Sequence, residues 1–212
     1  MSDRTRSAAI AAVLLAVGVA ACGDARLEYR EDFSSPERAA WSRERTQSAR
    51  FGYAEGRYRI AVTRAGEPEV SSIVLPERFT AVRLEVDVIE ERGRGEETVY
   101  GVGCGAGRRA RYFVGINRRG AFAIAAEGAE QPLAEARTAR QYGPQGSAVR
   151  LAVECRAEDE NARLSLEVNG RRVTGALDEG SEPGAFDRVS LFVSTPNPGT
   201  EVEFDNLVVR EL

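Results

Sequence analysis

The stretch that decides the fold is V-R-L-A-V-E-C-R-A-E-D-E-N-A-R-L-S-L-E-V-N-G-R-R-V, Val149 to Val173. Val149, Leu151, Val153 and Cys155 recur every second residue, the signature of a strand with one buried face. Asp159, Glu160 and Asn161 follow as a solvent-facing hairpin tip. Asn169-Gly170 then separates two further runs by two residues, a strong hairpin signal because this pair tolerates the positive φ angles of a tight turn. Three antiparallel strands, Ala148–Arg156, Arg163–Val168 and Arg171–Thr174, are therefore predicted within 30 residues.

The same period extends in both directions. Strands are expected at Glu28–Phe33, Arg50–Tyr53, Arg57–Thr63, Ser71–Leu75, Ala81–Glu90, Thr98–Cys104, Tyr112–Ile116, Ala121–Ala125, Arg188–Ser194 and Glu201–Arg210. Arg118-Arg119-Gly120 marks another hairpin. Only Pro36–Ala40 and Pro132–Arg140 suggest a helical turn each. Many short strands at this spacing define an all-β protein, a sandwich or a barrel. The length fits a two-sheet antiparallel jelly-roll sandwich occupying residues 28–212.

The order of several short motifs adds a resemblance. E-D-F-S-S-P-E-R-A-A-W (Glu31 to Trp41), F-G-Y-A-E-G-R-Y-R-I-A-V (Phe51 to Val62), the cysteine-bearing strand with its V-N-G hairpin, and E-V-E-F-D-N-L-V-V-R-E-L (Glu201 to Leu212) succeed one another. This order resembles the concanavalin A-like (LamG-type) jelly rolls of bacterial lipoproteins and of 3-keto-disaccharide hydrolase-like domains. The resemblance implies that the first and last strands pair, bringing Asp32–Phe33 close to Phe204–Asn206. It also assigns Asp205-Asn206 a turn or bulge that bonds to the N-terminal segment.

The chain opens M-S-D-R-T-R, followed by a short apolar run, Ser7 to Val19, and then V-A-A-C ending at Cys22. The run is too short to span a bilayer comfortably, and small residues before a cleavage point mark a secretory signal. V-A-A-C resembles the lipobox of bacterial lipoproteins. That resemblance implies removal of residues 1–21, lipid (palmitate among the acyl chains) on Cys22, a tether over 22–27, and an extracytoplasmic domain anchored to the bacterial membrane. A plain signal peptide or an uncleaved anchor is the alternative. Loss of Asp3, Arg4 and Arg6 with the leader leaves 27 basic against 32 acidic residues, net −5. That balance argues against nucleic acid as a partner.

The chain contains no His, and all 29 basic residues are Arg. Ser-His-Asp and Cys-His schemes and His-based metal sites are thereby excluded. Of the remaining cysteines, Cys104 shares a face with Tyr100 and Val102, and Cys155 lies on the apolar face of the opening stretch. Both point into the core. In an oxidising compartment they are expected to form a disulfide; two buried thiols are the alternative.

Two clusters carry candidate chemistry. L-E-V-D-V-I-E, Leu84 to Glu90, resembles the catalytic strand of laminarinase-type retaining glycosidases, which need two carboxyls about 5 Å apart. On that reading Glu85 is the nucleophile, Asp87 the assisting carboxylate and Glu90 the acid/base. Period two works against it. Glu85 and Asp87 share a face, whereas Glu90 falls with Val82, Leu84, Val86 and Val88 unless a bulge intervenes. The run is also followed by a charged turn, and the chain holds a single Trp. The sequence favours a strand with a charged outer face.

The second cluster, G-A-G-R-R-A-R-Y-F-V-G-I-N-R-R-G, carries Arg108, Arg109, Arg111, Arg118 and Arg119 among aromatics. Arginine beside aromatic rings suits sugar hydroxyls or anionic polymers. The candidate ligand-binding residues are Trp41, Arg111, Tyr112 and Asn117. No cofactor or metal is expected. Asp and Glu oxygens would suit Ca²⁺, but no D-x-D-x-D-G loop is present. The expected function is a membrane-held domain that binds carbohydrate or wall polymer without catalysis. A glycoside-active enzyme and a structural interaction domain of the envelope are the alternatives.

Overall fold

A computed structural model of the chain describes residues 27–37, 40–93, 97–106, 110–138 and 142–212. Cys22, Arg108 and Arg109 lie outside the described residues. Among the described residues there is no helix, and fifteen strands form two antiparallel sheets. The larger sheet runs β13 (Arg171–Asp178), β12 (Asn161–Val168), β11 (Ala148–Glu158), β6 (Ala81–Arg92), β15 (Thr200–Glu211), β4 (Arg57–Val62), β3 (Ala49–Ala54) and β2 (Glu44–Arg45). A ninth strand, β1 (Glu28–Glu31), also pairs with β15. The smaller sheet runs β10 (Ala134–Arg137), β9 (Ala121–Ala126), β8 (Ala110–Ile116), β7 (Val99–Ala106), β14 (Phe186–Ser194) and β5 (Glu69–Phe79).

The opening stretch of sequence builds one margin of the larger sheet. β11 pairs with β12 through Leu151↔Val168 to Glu158↔Asn161, and β12 turns into β13 at Asn169-Gly170. Both turn residues have positive φ, 50° and 73°, the twist a two-residue hairpin requires. Alternation then sorts the side chains. Leu84, Val86 and Val88 of β6 and Leu151 and Val153 of β11 face Val102, Val114 and Leu191 of the other sheet, and all are fully buried. Each such side chain contributes about 1.5–3 kcal/mol by leaving water. Cys104 on β7 and Cys155 on β11 meet across this core in a disulfide. The bond joins the two sheets and fits a domain outside the reducing cytosol.

The first and last strands pair as expected, from Glu28↔Arg210 to Glu31↔Leu207. Among the described residues of the two expected helical turns there is no helix. Pro36 and Glu37 lie in a simple turn, and Ala134–Arg137 is β10, paired to β9 from Ala134↔Ile124 to Arg137↔Ala121. Pairing satisfies the outer backbone groups of β9, which outweighs a weak local helical preference. β5 is longer than expected and contains Pro76. It is the edge strand of its sheet, and its register breaks between Phe79 and Val74. An edge strand tolerates proline because no ladder bond needs the missing N–H.

Candidate functional site

The two sheets present opposite kinds of outer face. On the larger sheet, Arg83, Glu85 and Asp87 of β6 point outward into a cross-strand ladder of ion pairs. Glu85 accepts from Arg83 Nε at 2.7 Å and Arg150 Nη2 at 3.2 Å, and also pairs with Arg210. Arg83 continues the ladder to Glu154 and Glu167. Asp87 accepts from Arg150 Nη1 at 3.2 Å and from Asn206 Nδ2 at 2.9 Å. Burial alone would raise the Glu85 carboxyl. Hydrogen bonds from Arg83 and Arg150, with the charge of Arg210, nevertheless hold it below the usual carboxylate range.

Glu90 lies on the other side of the same strand. The β6–β11 register runs unbroken from Ala81 to Ile89, and the irregularity against β15 falls after Glu90, between Val202↔Glu90 and Glu201↔Arg92, so Glu90 keeps the inward side. Its side chain is fully buried, neither oxygen has a hydrogen-bond partner, and Arg118 Nη1 stands 3.9 Å away. Desolvation raises its pKa, partly offset by Arg118. The carboxylate set of a retaining glycosidase is therefore not assembled. Glu85 and Asp87 are neutralised on one face and Glu90 is enclosed behind the other.

Asp205-Asn206 does form a bulge. The β15–β6 register shifts between Asp205 and Val208, and Asn206 has φ 51°. Its bonds correct the expected partner: the Asn206 amide donates to Asp87 on β6, and its carbonyl accepts from Arg150. A recess of about 690 Å³ beside the bulge is lined by Asp32, Arg150 and Asn206 among others. Its charged groups are already engaged: Arg150 with Glu85 and Asp87, Arg30 with Glu28, Glu31 with the Phe33 N–H, and Asp32 with the Ser34 N–H and hydroxyl. Among the described residues no three carboxylate, His or Cys groups converge as a metal site.

The outer face of the smaller sheet has a strip without side chains along β7. Gly101, Gly103 and Gly105 alternate with the core residues Val102 and Cys104 along β7. Gly101 stands opposite Gly115 on one side and Phe192 on the other. The next row places Gly103 between Phe113 and Ser190, with Ala125 beyond Phe113. A Cβ on Gly115 would lie 2.7 Å from Phe192 Cζ and 2.9 Å from the Tyr100 carbonyl oxygen. Only glycine lets the Phe192 ring lie down against the sheet there. Phe192 meets Phe113 edge-on, with ring centroids 5.3 Å apart.

Over these rings runs a cavity of about 610 Å³. Its floor is Phe113, Phe192, Val99, Ala123 and Ala125; Glu67-Pro68 and the 126–129 turn form its walls. That size and lining, mostly apolar with a few polar groups at the rim, match small-ligand sites of ~300–1,000 Å³. Arg111 borders this trough. Its guanidinium carbon is 6.0 Å from the Phe113 ring centre, and Nη1 bonds Glu127 at 2.9 Å.

Of the four expected ligand residues, only Arg111 lies at this face. Trp41 is 3% exposed and packs into an aromatic cluster with Phe33 and Tyr58. Tyr112 is 1% exposed, its hydroxyl donating to Asp178 Oδ2 at 2.9 Å. Asn117 is buried, and its side-chain oxygen accepts from the Ala121 N–H, closing the β8–β9 hairpin. A stacking role for Trp41 and Tyr112 is thus withdrawn, since neither ring offers a face to solvent. The trough residues Phe113 and Phe192 were missed. A signal existed in G-V-G-C-G, where every outward position of a strand is glycine.

No family model matches the sequence, and no curated protein is similar to it. The structure has counterparts. A galectin-like protein of unknown function from Bacillus subtilis superimposes with TM-score 0.62 at 12% identity, covering 88% of this chain and 98% of that one. A carbohydrate-binding module, CBM66, from Bacillus subtilis gives TM-score 0.53 at 15% identity, covering 81% and 96%. A sialidase gives TM-score 0.61 at 13% identity; the match covers 87% of this chain but only 18% of the sialidase. At these identities the likeness establishes the fold: the chain is a concanavalin A-like, galectin-like jelly roll.

Proposed function

We propose that the protein is a surface lipoprotein whose jelly roll binds polysaccharide without cleaving it, in the trough over Phe113 and Phe192. The trough carries this reading. An apolar floor with an aromatic ring at its centre receives the C–H face of a sugar, and rim groups such as Glu67, Ser194 and Glu127 accept hydrogen bonds from its hydroxyls. Structural neighbours that include a carbohydrate-binding module support it. Non-catalysis is supported by the carboxylates. Glu85 and Asp87 are bound by arginines on the opposite sheet, and Glu127 at the trough is held by Arg111.

The lipid anchor rests on Arg4, Arg6, the apolar run and V-A-A-C. Several acyl chains on Cys22 hold a domain to a membrane firmly where one would be marginal. Residues 22–27 leave a short tether, so the ligand is a polymer of the cell surface or of its immediate surroundings.

The test is binding of the full-length, oxidised chain in detergent to a panel of wall polymers and plant and fungal polysaccharides. Saturable binding that Phe113→Ala weakens about tenfold or more is the expected outcome, with Trp41→Ala acting on stability alone. Absence of binding across the panel, or binding indifferent to Phe113, would overturn the reading. Cys22→Ala should release the protein from the membrane fraction.

A further inference from the structure

One row below the Phe113 ring, Gly105 stands between Arg111 on β8 and Arg188 on β14. By the alternation of their strands, both arginines lie on the trough side of the sheet, separated by a residue with no side chain. Their hydrogen bonding is incomplete. The Arg188 side chain makes no ion pair or hydrogen bond among the described residues, although its Nε–H is buried. Arg111 uses Nη1 on Glu127, and its own buried Nε–H has no acceptor. On the outer face of the larger sheet, by contrast, Arg83 bonds three glutamates. Arg118, whose Nε–H also has no acceptor, still stands 3.9 Å from Glu90.

A half-buried guanidinium N–H without an acceptor is costly, since the group loses water and gains nothing in return. Arg188 also sits on a strand with neighbours on both sides, so it is not a fraying edge. Beside it, Ser190 and Ser72 are bonded to each other at 2.8 Å, and neither bonds Arg188.

We infer that the trough selects an acidic polysaccharide, with the carboxylate of a uronic-acid unit seated between Arg111 and Arg188 over Gly105 while the sugar ring lies on Phe113. This rests on the trough being a glycan site and names the class it takes. The glycine leaves the space, the two forks supply donors for a planar carboxylate, and the ring one row away fixes the sugar plane.

The experiment is titration calorimetry of the full-length, oxidised chain in detergent with an oligogalacturonate and with its methyl ester, the neutral counterpart. The acid form should bind about tenfold or more tightly than the ester, with affinity falling as salt rises. Arg188→Gln should bring the acid form down to the level of the ester, a loss of about 10- to 100-fold. The melting temperature of Arg188→Gln should be unchanged or raised, because the substitution removes an unpaired charge. Equal affinity for acid and ester would overturn the inference, as would unchanged binding by Arg188→Gln or equally tight binding of polyglutamate. Should neither galacturonate bind, the inference also falls, and a neutral glucan still held through Phe113 would leave the trough reading standing.

Discussion

Replacing both Cys104 and Cys155 by alanine should cost about 4 kcal/mol of stability. The bond closes a loop of 51 residues, and the chain-entropy relation for that length gives ~4 kcal/mol at 25 °C. For a domain of this size the loss corresponds to a fall in melting temperature of about 8–16 °C. The structure says where the effect arises. Each cysteine is buried in the core between the sheets, so the folded state loses only two sulfur atoms' packing, whereas the unfolded chain regains the freedom of the whole loop. The assay is thermal and urea unfolding by circular dichroism, with reduced wild type beside the double variant. Reduced protein isolates the cross-link, and the remaining difference between the two isolates packing. The urea slope should rise, because the unlinked chain exposes more surface when it unfolds. A fall of less than about 3 °C with an unchanged slope would refute the reasoning.

Two carboxyls should respond to pH with opposite sign. The folded-state pKa of Glu90 is raised by burial. Its contribution is therefore most favourable below the unfolded value of 4.5 and is lost as pH rises through the folded value. Glu90→Gln should accordingly gain stability relative to wild type as pH goes from about 4.5 to 8; denaturant midpoints across that range would show a flat difference if the carboxyl were in fact well solvated. The Glu85 carboxyl is held low, so its contribution is present above 4.5 and fades as pH falls. Glu85→Gln should cost about 1 kcal/mol at pH 7, discounted for partial screening, and leave glycan binding untouched. Gly115→Ala places a methyl 2.7 Å from Phe192 Cζ and 2.9 Å from the Tyr100 carbonyl oxygen. It should destabilise by about 1–3 kcal/mol and weaken glycan binding by lifting Phe192; an unperturbed melting curve would contradict the packing described.

Much of this protein was legible in its sequence because side-chain direction in a strand is local. Val82 to Val88 assigned the inner face of β6, and that alone placed Glu85 and Asp87 outside and Glu90 inside. The same alternation turned Cys104 and Cys155 inward, and Asn169-Gly170 announced its hairpin. What period two could not supply is which strand lies beside which. Arg83 reaches Glu154 and Glu167 only because β6, β11 and β12 are neighbours, and Asn206 reaches Asp87 only because β15 pairs with β6.

The trough is the sharpest case. Phe113 and Phe192 are far apart in sequence and unremarkable in each segment. They meet because β7, lying between β8 and β14, presents glycines on its outer side. Trp41 and Tyr112 were misplaced for the converse reason. Whether an aromatic ring caps a core or faces a ligand depends on what packs over it, and that is decided by strand order and long-range closure rather than by neighbours in the chain. The sequence alone determined the faces of the strands and turned both core cysteines inward; that the two meet as a link between the sheets came from strand order. The tertiary structure alone decided that one outer face is filled with ion pairs and the other left open.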